Sequence, residues 1–115
     1  MKALKITPGG EMTAVEITGE TIEQQNDNIY EHLGGYFETV RLGEDAVMLV
    51  DDDGLLKALP VNAMAIMISD YPMLVGTALI VGIDVTADGE QAFGNCPARF
   101  LRFADQIGKL RGSSS

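Results

Sequence analysis

The sequence predicts an α+β fold, a mostly antiparallel sheet built from hairpins and covered by two or three helices. Three observations predict it. Short apolar runs of strand length recur along the chain. Turn chemistry separates them at Pro8-Gly9-Gly10, Gly43-Glu44-Asp45, Asp53-Gly54 and Asp88-Gly89. Helix-start signals occur at three places only, around Thr21, Asn62 and Pro97.

The elements follow in order. Residues 2–6 and 12–17 read as a strand pair around the Pro8-Gly9-Gly10 turn. Thr18 or Thr21 then caps a helix, and Thr21-Ile22-Glu23-Gln24 matches a capping box, in which the glutamine reaches back to the cap amide. Ile22, Ile29, Tyr30 and Leu33 form a narrow apolar stripe with a polar middle, and Gly34 stands where a C-terminal glycine cap belongs. Residues 36–42 and 46–50 read as strands. Leu55 to Leu59 is expected as a further strand, because Asp-Gly between apolar runs is a strong type I′ hairpin signal.

That turn also accounts for the triple aspartate. A calcium loop of the EF-hand kind needs acids at alternating positions and a glutamate six residues past the glycine, where this chain has Pro60. After Pro60-Val61, Asn62 caps a short helix through Ser69, ended by Asp70-Tyr71-Pro72. Residues 77–84 read as a fully buried strand, with Gly82 marking a bulge or a close approach by another backbone. Pro97 opens a last helix with Phe100, Leu101, Phe103, Ala104 and Ile107 on its apolar face. A single domain is expected over residues 1–110, with a flexible end at 111–115.

Composition narrows the function. The net charge of −9, from 17 acids and 8 bases, opposes direct binding to nucleic-acid backbones or anionic membranes. No apolar run reaches the length of a membrane span, and the N-terminus turns polar too soon for a signal peptide, so a cytoplasmic location is expected. Cys96 is the sole cysteine and reads as a small buried hydrophobe. His32 is the sole histidine, and Ser69 is the sole serine outside the C-terminal tail, which leaves no nucleophilic triad and no zinc set. No catalytic residue, metal site or cofactor is expected. Carboxylate-only chemistry with Mg²⁺ at Asp51, Asp52, Asp53 and Asp84 stays open as a minor reading.

A binding site is easier to build. Tyr30, Tyr36, Phe37 and Tyr71 offer rings for stacking on a planar ligand. Arg41 offers a planar fork for phosphate, and Asn62 an amide that reads a base edge or ribose.

The stretches Leu33-Gly34-Gly35-Tyr36 with Glu38 and Val40, Val50-Asp51-Asp52-Asp53-Gly54-Leu55 and Leu59-Pro60-Val61-Asn62 resemble a family of small phage and mobile-element proteins catalogued as a domain of unknown function. Lys57, Gly76, Val81-Gly82 and Asp88-Gly89-Glu90 extend the resemblance, which runs from Lys2 to about Phe93, with Asp52 where the family tends to have glutamate. It implies a phage accessory protein. By analogy of size and context, it points to a non-enzymatic anti-defence protein that binds and sequesters a small nucleotide immune signal, a cyclic dinucleotide or an ADP-ribose derivative. Such a binder is expected to be a homo-oligomer with Tyr30, Tyr36, Phe37, Arg41, Lys57, Asn62 and Tyr71 at the ligand, and with Met12, Met48, Met64, Met67 and Met73 supplying spare apolar surface for an interface. The alternative is an acidic protein-binding inhibitor or DNA mimic acting on a restriction or regulatory protein. That reading expects Glu11, Glu16, Glu44, Asp45 and Asp51 to Asp53 along one exposed ridge.

Overall fold

The computed structural model describes residues 1–113 and shows an α+β fold of six strands and three helices. Strands β1 (Lys2–Ile6) and β2 (Met12–Glu16) form the expected first hairpin, in register from Lys2 opposite Glu16 to Ile6 opposite Met12. Strands β3 (Phe37–Arg41) and β4 (Ala46–Asp51) form a second. Strand β5 (Ala78–Val85) enters between the two hairpins, giving the order β2-β1-β5-β4-β3, and every pairing is antiparallel. A sixth strand, β6 (Gln91–Gly94), continues the line of β1 by pairing with the far half of β5. The Asp88-Gly89 turn announces β6, but four residues with one bulky apolar side chain make too short a pattern to read as a strand.

Strand alternation divides the core in two. Ala3, Val47, Leu49, Leu79 and Val81 face helix α1 (Ile22–Leu33), which contributes Ile29 and Leu33. Leu4, Ile6, Met48, Val50 and Ile80 face α2 (Ala63–Ser69) and α3 (Ala98–Ser113), which contribute Ala65, Phe100 and Leu101 among others. The central strands β4 and β5 are therefore covered on both faces, which explains their unbroken apolar runs. Each large aliphatic side chain withdrawn this completely from water contributes about 2 kcal/mol.

The helix ends follow from the sequence. Thr21 Oγ1 accepts the Gln24 N–H at 3.1 Å, and Gln24 Oε1 accepts the Thr21 N–H at 3.3 Å, completing the capping box. Gly34 closes α1 with φ of 88°, a conformation that costs a side-chain-bearing residue more. The polar middle of α1 fastens the segment before it: Asn28 Oδ1 accepts the Thr18 N–H at 3.0 Å.

Three expectations change. Leu55 to Leu59 is not a strand. The Asp51 carboxylate accepts the Asp53 N–H at 2.8 Å, and the chain then coils, with Lys57 N–H donating to Asp53 O at 3.0 Å and Leu59 N–H to Gly54 O at 3.1 Å. A local aspartate turn has displaced the hairpin turn, and Leu56 is left 87% exposed. Ile22, assigned to the apolar stripe of α1, is 68% exposed. Helix α3 runs through Ser113, into the segment expected as a flexible end, of which Ser114 and Ser115 lie outside the described residues.

Candidate functional site

A groove of about 520 Å³ opens on the α1 face of the sheet, between the first turns of α1 and strands β3 to β6. Strand period places Phe37, Thr39 and Arg41 of β3 on its wall, since alternate residues point to one side. Val47 and Ile83 form the floor, Gln91 and Phe93 close the β6 side, and Ile22, Gln25 and Asn26 overhang from α1. Ile22, left out of the core, is one of the residues that line this groove.

The groove has an aromatic seam behind it. Phe37 and Phe93 pack with ring centroids 5.9 Å apart, Tyr30 lies 5.5 Å from Phe37, and Tyr36 meets Tyr30 edge-on at 5.0 Å. Such tilted and edge-on contacts add about 0.5–1.5 kcal/mol each beyond burial. They also hold the Phe37 ring in place. Arg41 is held too: its Nε donates to Gly43 O at 2.5 Å and its Nη2 to Glu44 O at 3.4 Å, so the guanidinium stands at the β3–β4 turn.

Of the seven residues expected at a ligand, the structure brings Phe37 and Arg41 into one groove, with Tyr30 and Tyr36 on the connecting seam. It does not bring in the other three. Lys57 Nζ donates to the buried Asp51 carboxylate at 2.8 Å and to Gly34 O at 3.1 Å, so it neutralises a turn. Asn62 is fully buried, its Nδ2 donating to Ile6 O at 3.0 Å and Gly76 O at 2.8 Å and its Oδ1 accepting the Ala65 N–H at 3.1 Å. Its amide is consumed by the fold. Tyr71 follows α2, on the opposite side of the sheet.

Gln25, Asn26, Gln91 and Phe93 are among the groove residues that sequence reasoning missed. The polar break in the α1 stripe was a usable signal for the first two, because it leaves amides facing a surface that an amphipathic helix would normally cover.

The acids do not gather. Register places Asp51 near the Ala78 end of β5 and Asp84 beyond Gly82, about 20 Å away at the rise of a strand. Glu11 likewise sits at the Asp51 end, whereas Glu16, Glu44 and Asp45 sit at the other. Arg99 grips Asp45 with two hydrogen bonds of 2.6 and 2.7 Å, and that contact holds the Asp45 carboxyl below the usual range. Among the described residues no group of three or more His, Cys, Asp or Glu is arranged to hold a metal ion. No described helix is long and apolar enough to cross a membrane. Burial pushes the Cys96 thiol up to about 11, so it stays protonated and a poor nucleophile at neutral pH.

His32 titrates against its surroundings. Partial burial, then the Lys5 ammonium whose Nζ lies 3.2 Å from Nδ1, holds its pKa below the ordinary 6.5. The folded state thus binds this proton less readily than the unfolded chain, and its contribution to stability is present above pH 6.5 and lost as pH falls through the depressed folded value. The single histidine gives one imidazole NMR signal to follow. Lys5→Met is expected to move that titration up towards 6.5 and to shrink the acid-side loss of stability. A native signal titrating at or above 6.5 would contradict the Lys5 contact.

No curated protein and no solved structure matches this chain. The model of the family described as DUF3846, a domain of unknown function, matches residues 1–99, from β1 through β6 to the start of α3, and the chain belongs to that family.

Proposed function

We propose that this protein is a non-enzymatic binder of a small nucleotide signal, a phage or mobile-element accessory protein that sequesters the signal in the host cytoplasm. The observation that carries the reading is the shared groove of Phe37 and Arg41, four residues apart on one face of β3 and joined there by amide side chains. A ring beside Phe37 and Phe93 accounts for a base, the amides for its hydrogen-bonding edge, and Arg41 for phosphate. The volume falls in the range of ligand clefts, about 300–1,000 Å³. The phage setting comes from the motif resemblance. Homo-oligomerisation is supported by exposed apolar side chains, Met67 and Met73 beside α2 and Leu55 and Leu56 in the coiled turn, whereas Met48 is spent in the core.

Native mass spectrometry of protein purified from cells that make cyclic nucleotides or ADP-ribose signals tests the reading. The expected result is an oligomer carrying unmodified nucleotide. Phe37→Ala, checked for retained folding by circular dichroism, is expected to weaken binding by about 10- to 100-fold, the loss of about 1–3 kcal/mol from one stacked base. Ligand-free protein that also leaves the added signals unbound in solution would overturn it.

A further inference from the structure

The groove's charge limits what can occupy it. Among the described residues Arg41 is the one charged side chain on its wall, and the remaining polar groups are neutral, chiefly the amides of Gln25, Asn26 and Gln91. The guanidinium cannot sweep the groove, because the carbonyls of Gly43 and Glu44 hold its Nε and Nη2 at the β3–β4 turn. Two other cations are already committed elsewhere, Lys57 to Asp51 and Arg99 to Asp45. One phosphodiester, with a single negative charge, is matched by Arg41. A second negative charge meets no cation among the described residues that line the groove, in a chain whose net charge is −9.

From this we infer, resting on the nucleotide reading above, that each groove accepts one base with one singly charged phosphodiester. The ligand class is then cyclic nucleotides, whose phosphodiesters carry one negative charge per base; 5′-monophosphates, which approach two charges at neutral pH, nucleoside polyphosphates and pyrophosphate-linked ADP-ribose compounds are disfavoured. A cyclic dinucleotide satisfies the rule when its two bases enter the grooves of two copies of the chain. The preference has a Coulombic size: one unmatched charge about 8 Å from the net negative surface, in water-like dielectric, weakens binding about two- to threefold per elementary charge.

The test is a titration of the isotope-labelled protein with adenosine, guanosine, their 3′,5′-cyclic monophosphates, 5′-AMP, cyclic di-AMP, ATP and ADP-ribose. Amide shifts at Phe37, Arg41, Gln91 and Phe93 report occupation of the groove, and the series is run at low salt and again near 0.3 M salt, where the Debye length has fallen to about 6 Å. The expected order is cyclic monophosphate and cyclic dinucleotide tightest, with 5′-AMP and ADP-ribose weaker by about two- to threefold and ATP by more at low salt, and the gap closing at high salt. Arg41→Gln is expected to erase the advantage of the cyclic monophosphate over its nucleoside. Tighter binding of 5′-AMP, ATP or ADP-ribose than of any cyclic ligand, with the same groove shifts, overturns the one-charge rule and leaves nucleotide binding standing. Groove signals unmoved by every ligand overturn the nucleotide reading and this inference with it.

Discussion

Asn62→Ala is expected to lower the free energy of unfolding by about 3–5 kcal/mol, near the upper end for a single substitution. Asn62 sits where three parts of the chain meet, and its amide serves all of them. The two N–H groups hold the carbonyls of Ile6, at the end of β1, and of Gly76, just before β5, while the side-chain oxygen caps α2 through the Ala65 N–H. Alanine leaves these groups unpaired in a site with no exposure to water. A lost cap alone costs about 1 kcal/mol, and each stranded buried carbonyl adds about 1–3 kcal/mol if it finds no new partner. A domain of this size has only about 5–15 kcal/mol in total. Asn62→Asp is expected to be at least as damaging, since it keeps the cap acceptor but aims a carboxylate at two carbonyls. Denaturant unfolding followed by circular dichroism measures both, and a loss below about 1 kcal/mol for alanine would show that the amide is replaceable.

Asn62 also shows where sequence reading reached its limit. The cap was legible, because Asn after Pro60-Val61 and before an apolar helix has a local mechanism. Burial was not, because the partners lie 56 and 14 residues away and are backbone carbonyls that carry no sequence signature. The same asymmetry separates the other outcomes. Thr21 with Gln24, Gly34 and the β1–β2 hairpin depend on neighbours a few residues apart, and each stands as expected. The Leu55 to Leu59 strand failed because two local devices competed at Asp51-Asp52-Asp53-Gly54. The Asx turn from Asp51, locked by Lys57, prevailed over the type I′ turn, and both edges of β4 are taken by β3 and β5, which leaves no place beside it for a returning strand.

The groove was half legible for a related reason. Phe37 and Arg41 share a face by strand period, which any alternating segment reveals. Which face of the sheet would be covered by α1, and how far, depends on packing that brings Ile29 and Leu33 into the core while leaving Ile22 out of it. The β6 wall depends on a long-range pairing with β5. A composition-level expectation of clustered cations or clustered acids had no means to register that Lys57, Arg99, Asp45 and Asp51 neutralise one another in two separate pairs.

Gly82→Ala is expected to destabilise the protein by about 3 kcal/mol or more, and to do so by displacing β6. Gly82 lies in the middle of β5, opposite Ala46 on one side and Gly94 on the other. A methyl group there runs into the carbonyl oxygen of Asn95, with its carbonyl carbon only 3.1 Å away. That backbone cannot step aside cheaply. The Asn95 Oδ1 accepts the Lys2 N–H at 2.8 Å, and the next residue, Cys96, donates its N–H to Lys2 O at 2.8 Å, so the segment is tied to the start of β1. Relief must come from β6 itself, whose four residues pair with β5 alone. Amide exchange at residues 91–94 should therefore accelerate more than exchange in β4, and ligand binding should fall with it, since Gln91 and Phe93 wall the groove. Gly108→Ala supplies the control, because nothing lies within 4 Å of the added methyl and alanine in the α3 interior should stabilise by up to about 1 kcal/mol. Protection of β6 unchanged in Gly82→Ala, with stability within about 1 kcal/mol of the native chain, would mean that the Asn95 carbonyl does not approach β5 so closely. The β6 wall of the groove would then have to be redrawn.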